Sequence, residues 1–539
     1  MDSVPPFFEA VFTLSKPSQT DEEWHDESTD DFYIFTSSFG TLRLRKRYSY
    51  PATFVGSVDG LLYFGYGDWQ RARTIASSSL SAVAENDFGD QEFLYGEVSC
   101  RQQTVIIQRD ATCVLPIFAA KYSHKLALSN HSERLHDLID QKDKTVDNLA
   151  AVNYMLFDDR YRSLLENSGP LHDRARLEWQ DGSYTIHYPV DSLIAAPSDQ
   201  AGDPRHFKQA LESTLDTYWE RYDSIGFELS GGLDSATAPG YYADQGKQII
   251  AVTLGLPGTM GSLQQAKIQD MMQRFKLENY TISLDHNSHF PFAHIALTGR
   301  GIAGEYNDLH LVATRQLADY LASKQVATIF TGVGGDELCQ NINPESILPV
   351  GAGVQKERLQ ARLPRYATDT FAALYQKAQA TAPQERDRPI PSIAYSVMLT
   401  NLGSNNVYID RNIWPVAPLS DPKLFMFAQS IPAWHRYDKN LLRIYHFARS
   451  FPESITQPKT IEDFSEFIHL CKPVLHQLFE PTFSNSKMAE QGLIDTPALL
   501  SYSQEVISAP FDPSDTRILG LIRLFVLEVN LQNFHTARL

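Results

Sequence analysis

Residues 230–235 have the sequence SGGLDS and lie between a short apolar run and a helical pattern. The run Ile225 to Leu229 predicts a buried strand, and the residues Ser235 to Gln245 predict a helix. Two adjacent glycines let a backbone approach an anion closely, and the N-terminus of the following helix offers unpaired N–H groups. This order of elements indicates a phosphate-binding loop that lacks the lysine of a Walker motif. A glycine-rich turn capped by Asp and Ser is the structural alternative.

An acidic residue stands inside this loop, and a second acidic turn follows another apolar run. Asp234 would repel phosphate, so its expected role is to hold a magnesium ion that bridges phosphate oxygens. The turn Thr331 to Glu337 (TGVGGDE) follows the run Val326 to Phe330. Because the carboxyl ends of parallel strands meet at one edge of a sheet, we expect Asp336 to share the magnesium site with Asp234.

The arrangement of apolar runs predicts an α/β protein of two domains. Strands and helices alternate after about residue 206, which indicates a parallel sheet with helices on both faces. Before residue 195 the chain has short β-runs and one helical stretch, Ser132 to Ser168, as expected for an α+β domain. A chain of 539 residues exceeds one ordinary core, so residues 196–205 are interpreted as a linker and the end of the chain as mostly helical.

Charge and cysteine content argue against several classes of protein. The formal net charge of −18 disfavours broad contact with a nucleic-acid backbone. The four cysteines have neither the spacing of a zinc site nor the density of a disulfide scaffold, which favours a reducing, cytoplasmic setting. No segment reaches the roughly 18 apolar residues of a membrane span, and the N-terminus does not resemble an export signal.

Five segments, in order, resemble the synthetase domain shared by asparagine synthetase, β-lactam synthetase and lasso-peptide cyclase. Besides SGGLDS and the acidic turn, Val252 to Gly258 resembles the family's strand and loop beside the adenine. Leu419 to Pro432 resembles the helix before its catalytic lysine, and Asp438 to Arg443 (DKNLLR) resembles its Gly-Lys-x-x-Leu-Arg segment. The resemblance implies an adenine-nucleotide α-hydrolase-like domain, of the ATP-pyrophosphatase type, over residues 206–539.

The resemblance also implies a reaction. ATP adenylates a substrate carboxylate with release of pyrophosphate, and an amine then displaces AMP to give an amide. Lys439 would be catalytic because its ammonium can offset negative charge in both steps, and a solvated lysine at a helix start is the alternative. Magnesium is expected on Asp234 and Asp336. The residues expected to contact ATP are Leu229, Ser230, Gly231, Gly232, Asp234, Ser235, Val252, Gly332 and Val333.

The N-terminal domain, residues 1–195, resembles the glutaminase domain of the same family, which is of the Ntn type. Gln108 to Asp110, Pro116 to Phe118 and Leu126 to Ser129 carry this resemblance. Glutaminases of the family place a nucleophilic cysteine directly after the initiator methionine, where this chain has Asp2. We therefore expect an inactive glutaminase-like domain and an amine that is carried by the substrate itself.

A second departure concerns the base that would deprotonate the amine. Val333 stands where asparagine synthetases have Glu and β-lactam synthetases have Tyr, and valine can neither accept nor donate a proton. Glu305, in the segment GEYND, is the catalytic base that the sequence suggests. A capping or surface carboxylate is an equally good interpretation of Glu305.

These features predict an AMP-forming amide synthase that acts in specialised peptide or natural-product biosynthesis and resembles a lasso-peptide cyclase in forming a macrolactam. Its partners would be a small-molecule or peptide substrate with a carboxylate and an amine, and a protein that delivers or processes the precursor peptide. Three alternatives stay open: an ammonia-dependent asparagine synthetase, a catalytically silent nucleotide-binding protein, and a tRNA-modifying ATP pyrophosphatase. The acidic charge and the absence of a thiol pair disfavour the last.

Overall fold

The protein is described by a computed structural model that covers most of the chain. The described residues are 7–13, 23–47, 51–58, 61–68, 70, 73, 92–122, 124–140, 143–157, 163–180, 182–187, 202–294, 309–339, 363–381, 395–459 and 463–535. The predicted domain limit at residues 195–206 falls mainly outside these ranges and stays a prediction.

The first part of the chain forms two antiparallel sheets. Its strands are β1 (Phe8–Thr13), β2 (His25–Asp26), β3 (Phe32–Thr36), β4 (Gly40–Arg45), β5 (Thr53–Val58), β6 (Leu61–Tyr66), β7 (Leu94–Ser99), β8 (Thr104–Arg109), β9 (Phe118–Tyr122), β10 (Lys125–Ser129), β11 (Ser168–Pro170), β12 (Arg176–Gln180) and β13 (Ser183–His187). One sheet has the order β11-β9-β10-β1-β4-β3-β2, and the other has the order β13-β12-β8-β7-β6-β5. Along β1 every second residue is buried, as expected for a strand with one face in the core. Phe8 of the first sheet stacks on Phe64 of the second at 5.7 Å, so the sheets share a core.

Two helices lie in this part, α1 (Ser132–Leu138) and α2 (Asn148–Phe157). The predicted single helical stretch Ser132 to Ser168 is therefore wrong in its extent. The carboxylate of Asp147 accepts hydrogen bonds from the N–H groups of residues 149 and 150, at 2.9 and 3.0 Å, and so begins a new helix. Val146, just before it, bridges to Leu165 in an extended pairing.

The second part is built on a parallel sheet whose strands are β14 (Ile225–Glu228), β15 (Ile250–Gly255), β16 (Glu278–Ser283), β17 (Thr328–Phe330) and β18 (Trp414–Val416). All neighbouring strands are parallel, and the order is β16-β15-β14-β17-β18. The strands β15 and β16 lie on one side of β14, and the later strands β17 and β18 lie on the other. The carboxyl ends of β14 and β17 therefore flank a topological switch point, where ligands of such sheets bind. The predicted α/β class is confirmed, although β18 was not predicted.

Helices cover both faces of this sheet and form the C-terminal part of the chain. They are α3 (Phe207–Arg221), α4 (Leu233–Asp244), α5 (Gly258–Phe275), α6 (Leu311–Ser323), α7 (Gly335–Cys339), α8 (Asp369–Thr381), α9 (Tyr395–Ile409), α10 (Pro422–Ser430), α11 (Ala433–Arg436), α12 (Asn440–Ala448), α13 (Glu453–Thr456), α14 (Ser465–Leu470), α15 (Lys472–Phe483), α16 (Lys487–Glu490), α17 (Thr496–Ser508) and α18 (Arg517–His535). The pleat of β17 shows the two faces, because Phe330 packs with α3 and α4 whereas Ile329 packs with α6. Across the described ranges, no helix is both long and apolar enough to span a membrane.

Polar contacts join the two parts of the chain. The indole N–H of Trp414 donates to Oε2 of Glu92 at 2.6 Å, and the side-chain amide of Asn405 donates to the carbonyl of Val114 at 2.7 Å. The guanidinium of Arg47 donates to the carbonyl of Asn412 at 3.1 Å. Trp414 belongs to β18, Asn405 belongs to α9 and Asn412 lies in the turn between them, so the N-terminal sheets lie against the β18 edge of the parallel sheet.

Candidate active site

The SGGLDS segment forms a tight loop between β14 and α4. Gly231 has a φ of +86°, which glycine adopts without strain, and Gly232 precedes the first helical residue. Inside the loop, Oγ of Ser235 accepts from the N–H of Ser230 at 3.0 Å and lies 2.9 Å from Oγ of Ser230. The loop thus places backbone N–H groups and a helix N-terminus at the switch point, as an anion-binding loop requires.

The acidic turn packs directly on this loop, and glycines make the contact possible. A Cβ atom at Gly332 would lie 2.6 Å from the backbone nitrogen of Ser235, and one at Gly335 would lie 2.3 Å from Cγ of Asp234. Gly334 has a φ of +98°, and a Cβ there would lie 2.6 Å from the nitrogen of Ser420. The three glycines of the turn are therefore required by close approach, and this approach brings two acidic residues together.

Asp234, Asp336 and Lys439 meet at this point from three distant segments of the chain. The ammonium Nζ of Lys439 lies 2.6 Å from Oδ2 of Asp234 and 2.7 Å from Oδ1 of Asp336. The structure therefore brings together both predicted metal ligands and the predicted catalytic lysine.

The charges at this point are unequal. Burial raises the pKa of the Asp234 carboxyl to about 6, the ammonium of Lys439 opposes that rise, and Asp336 adds to it. Burial alone would lower the pKa of Lys439, but the two carboxylates outweigh it and the pKa is raised. One ammonium between two carboxylates leaves an excess of negative charge, which favours binding of a cation.

The carboxylates fit a magnesium ion. Among the residues that the structure describes, buried Oδ1 of Asp234 has no hydrogen-bond partner and is available as an oxygen ligand, while the side chain of Asp336 is 57% exposed. Over the described ranges, no group of three His, Cys, Asp or Glu residues is arranged to hold a metal. Magnesium commonly takes one or two carboxylates and completes its shell with water and phosphate oxygens, which matches this pair.

The turn that carries Lys439 is held in a strained conformation. Asp438 and Lys439 have φ values of +52° and +56°, and Asp438 stands where the family segment has glycine. The guanidinium of Arg443 donates to the carbonyl of Asp438 at 2.8 Å and to the carbonyl of Thr456 at 2.6 Å. Arg443 thereby fixes the turn that aims Lys439 at the two carboxylates.

One buried side chain beside the phosphate loop was not predicted from the sequence. Gln264 on α5 donates to the carbonyls of Ser230 and Leu254, both at 3.1 Å, and its Oε1 accepts from the N–H of Leu256 at 2.9 Å. It therefore ties the phosphate loop to the segment after β15. A single glutamine in a helix carries no sequence signal, because only the fold shows which carbonyls it meets.

Leu229 and Val252 lie at the strand ends next to the phosphate loop. Both side chains are buried, and the N–H of Leu229 donates to the carbonyl of Val252 at 2.8 Å. The carbonyl of Leu229 accepts from the hydroxyl of Thr253 at 2.5 Å. Their contact with ATP stays a prediction, and the observed bonds give them a supporting position at the strand ends.

Neither Val333 nor His446 can deprotonate the amine. Val333 is half-buried and packs against an apolar cluster, with no group that could exchange a proton. Glu305 lies outside the described residues. His446 lies seven residues after Lys439 and is buried, with its Nε2 2.9 Å from Oγ1 of Thr237. Burial lowers the pKa of His446 to about 3, so it is a packed residue and not a base.

A phosphate loop at the switch point of a parallel sheet, beside two carboxylates bridged by a lysine, defines a nucleotide-using α/β domain. Residues 206–517, more than half of the chain, match the family model described as asparagine synthase. The chain belongs to the asparagine synthase family. This assignment makes it an ATP-binding member of a family of carbon–nitrogen ligases, and confirms the predicted resemblance.

Several solved structures show a distant likeness. NMN synthetase from Francisella tularensis is 18% identical over 39% of this chain and 96% of its own, with a TM-score of 0.19. A U34-tRNA thiolase from Methanococcus maripaludis is 10% identical over 58% of this chain and 82% of its own, with a TM-score of 0.23. A glutamine phosphoribosylpyrophosphate amidotransferase from B. subtilis is 10% identical over 54% and 77%, with a TM-score of 0.18. At such scores none of them bears on the activity. No curated protein matches the chain.

Proposed function

We propose that this protein is a magnesium- and ATP-dependent, AMP-forming amide synthase that joins a carboxylate and an amine carried by one peptide substrate, giving a macrolactam. The observation that carries the proposal is the placement of Lys439 Nζ at 2.6 and 2.7 Å from the carboxylates of Asp234 and Asp336, beside the phosphate loop. A protein that only bound nucleotide would have no use for a lysine held in a strained turn at this point.

Each residue has a chemical role in this proposal. Asp234 and Asp336 would hold magnesium, which would supply positive charge to the phosphate oxygens and to the leaving pyrophosphate. The loop around Gly231 and Gly232 binds phosphates through backbone N–H groups. Lys439 then pairs with the charge that develops on the reacting carboxylate and, later, on the tetrahedral adduct. We propose that ATP contacts these groups, as the sequence predicts.

The burial of the cysteine thiols supports a proposal about the source of the amine. All four cysteines are buried, and burial raises the pKa of each, to about 11 for Cys339 and about 12 for Cys471. A buried thiol of high pKa is a poor nucleophile for glutamine hydrolysis. We therefore propose that the N-terminal part has no glutaminase activity and that the substrate supplies its own amine, presented by a precursor-delivery or leader-processing protein.

The test is magnesium-dependent exchange of pyrophosphate into ATP, with formation of the amide followed in parallel. The substrates are linear peptides that have a free N-terminus and one Asp or Glu side chain, and free aspartate with ammonium. We expect exchange with a peptide, and a loss of about 100-fold or more in Asp234→Ala and Lys439→Ala. Lys208→Ala, which removes an exposed lysine on α3, is the matched control and should retain full activity.

The substrate that responds decides between the alternatives. Exchange with aspartate and ammonium, but with no peptide, would replace the proposal by an ammonia-dependent asparagine synthetase. ATP binding without exchange for any carboxylate would favour the silent nucleotide-binding protein.

A further inference from the structure

The buried face of α5 includes a lysine. The buried side chains of this helix are Gln264, Lys267, Ile268, Met271 and Phe275. The last three pack in the apolar core, and Gln264 binds backbone groups beside the phosphate loop. Lys267 is only 8% exposed, and lysine is rarely buried to this extent unless its charge is paired. The burial of Lys267 therefore indicates that its ammonium lies at a place suited to anions.

Lys267 packs against the phosphate loop. A Cβ atom at Gly231 would lie 3.5 Å from Cβ of Lys267 and 3.5 Å from the carbonyl oxygen of Gln264. Gly231 is the loop residue with a φ of +86°, and the carbonyl before it, that of Ser230, accepts a hydrogen bond from Gln264 at 3.1 Å. Gln264 and Lys267 are therefore neighbours on one face of α5, and both contact the turn of the loop.

The direction of α5 leads the lysine stem towards the edge of the sheet that carries the site. β15 ends at Gly255 and α5 begins at Gly258, so the N-terminus of α5 lies at the carboxyl edge of the parallel sheet. Side chains of a helix tilt towards its N-terminus, and long side chains follow this direction. From its contact with Gly231, Lys267 therefore extends towards the edge where the loop presents its N–H groups.

The phosphate loop has no cation of its own. A triphosphate is strongly anionic, and phosphate loops of the Walker type meet its charge with a lysine inside the loop. The segment SGGLDS has none, and the ammonium of Lys439 is already bound between Asp234 and Asp336, at 2.6 and 2.7 Å. A buried lysine that contacts the loop from the neighbouring helix is suited to supply this charge.

We propose that the ammonium of Lys267 binds the β- and γ-phosphates of ATP, the part that leaves as pyrophosphate, so that α5 supplies the charge that the loop lacks. This inference rests on the proposed function, because it takes ATP to lie on the loop. Lys267 holds that end of ATP and offsets the charge that develops on pyrophosphate as it leaves. AMP has neither of these two phosphates, so its binding does not depend on Lys267.

The test compares three ligands in Lys267→Met, which keeps an unbranched apolar side chain and removes the ammonium. Calorimetric titrations with magnesium present use ATP, inorganic pyrophosphate and AMP. We expect the affinity for ATP and for pyrophosphate to fall by about 10- to 100-fold, the usual effect of losing one hydrogen bond from a charged group. The affinity for AMP should stay that of the unaltered protein. Lys208→Met, which removes an exposed lysine on α3, is the matched control and should bind all three ligands normally.

Two further measurements separate charge from packing. Added salt should weaken ATP binding by the unaltered protein more than by Lys267→Met, because salt screens the interaction of an ammonium with phosphate. The unfolding midpoint without ligand should change little, because methionine packs well beside Ile268 and Met271.

Each result decides for or against the role of Lys267. Unchanged affinity for ATP and pyrophosphate in Lys267→Met would overturn the inference. An equal loss for all three ligands would also overturn it, because Lys267 would then support the loop by packing alone. If the unaltered protein bound no ATP, the proposed function would fall first, and this inference with it.

Discussion

At the scale of single residues, glycine at position 335 is needed for space. Its φ is not in the left-handed region, but a Cβ there would lie 2.3 Å from Cγ and 2.4 Å from Oδ1 of Asp234. Because α4 fixes the backbone of Asp234 and β17 leads directly into the turn, neither side can retreat by that distance without moving an element. The carboxylate would have to turn away from Lys439.

Gly335→Ala should therefore disable the site while the protein stays folded. We expect pyrophosphate exchange to fall by about 100-fold or more, because displacement of a group by about 1 Å costs that much when positioning is critical. The midpoint of thermal unfolding should shift by only a few degrees. Gly520→Ala is the control, since no atom of the described part of the chain lies within 4 Å of a Cβ at that position of α18. Equal exchange in both variants would contradict the contact.

At the scale of elements, the sequence predicted the strands and turns that local residue patterns determine. β14 and β17 are apolar runs followed by glycine-rich turns, so both strands and both turns were predicted, although each strand is shorter than the predicted run. β18 was not, because Trp414, Pro415 and Val416 form a run too short, and with a proline, to indicate a strand. The sequence predicted that Asp234 and Asp336 share a site and that Lys439 is catalytic. It did not predict that Lys439 lies between the two carboxylates, because that contact depends on the fold. Gln264 carries no pattern at all.

The turn before α12 shows how one element positions another. Arg443 binds the carbonyls of Asp438 and Thr456, and without these bonds the left-handed residues at 438 and 439 would relax. Arg443→Lys keeps the charge but cannot reach both carbonyls with the geometry of a guanidinium. We expect kcat for exchange to fall by about 10- to 100-fold, with little change in the KM for ATP.

The control for this prediction is a variant that reduces the backbone strain of the turn. Asp438→Gly places at φ +52° the residue that adopts it most easily, so it should keep exchange within a few-fold and should not lower the unfolding midpoint. A rise in the KM for ATP in Arg443→Lys, with kcat unchanged, would show that Arg443 supports nucleotide binding and not the lysine turn.

At the scale of the whole molecule, an ionic contact joins the N-terminal sheets to the end of α9. The imidazole of His131 lies 3.0 Å from Asp410 and 3.2 Å from Glu133. Burial opposes a charged imidazole, but Asp410 and then Glu133 outweigh it and raise the pKa of His131 to about 10. An unfolded histidine titrates near pH 6.5, so folding favours its protonated form.

The sign of the pH dependence follows from that raised pKa. The stability contributed by protonated His131 is fully present below about pH 6.5 and is lost as the pH rises through about 10. His131→Gln should therefore lower the free energy of unfolding by on the order of 3 kcal/mol near pH 6, as expected when one partner of a buried pair is removed, and by far less above pH 10. Urea unfolding across this range measures both. His124→Gln, at an exposed turn, should show no such trend. A deficit that stays constant with pH would mean that His131 is neutral in the folded protein, and that the two parts of the chain are joined by packing and neutral hydrogen bonds rather than by charge.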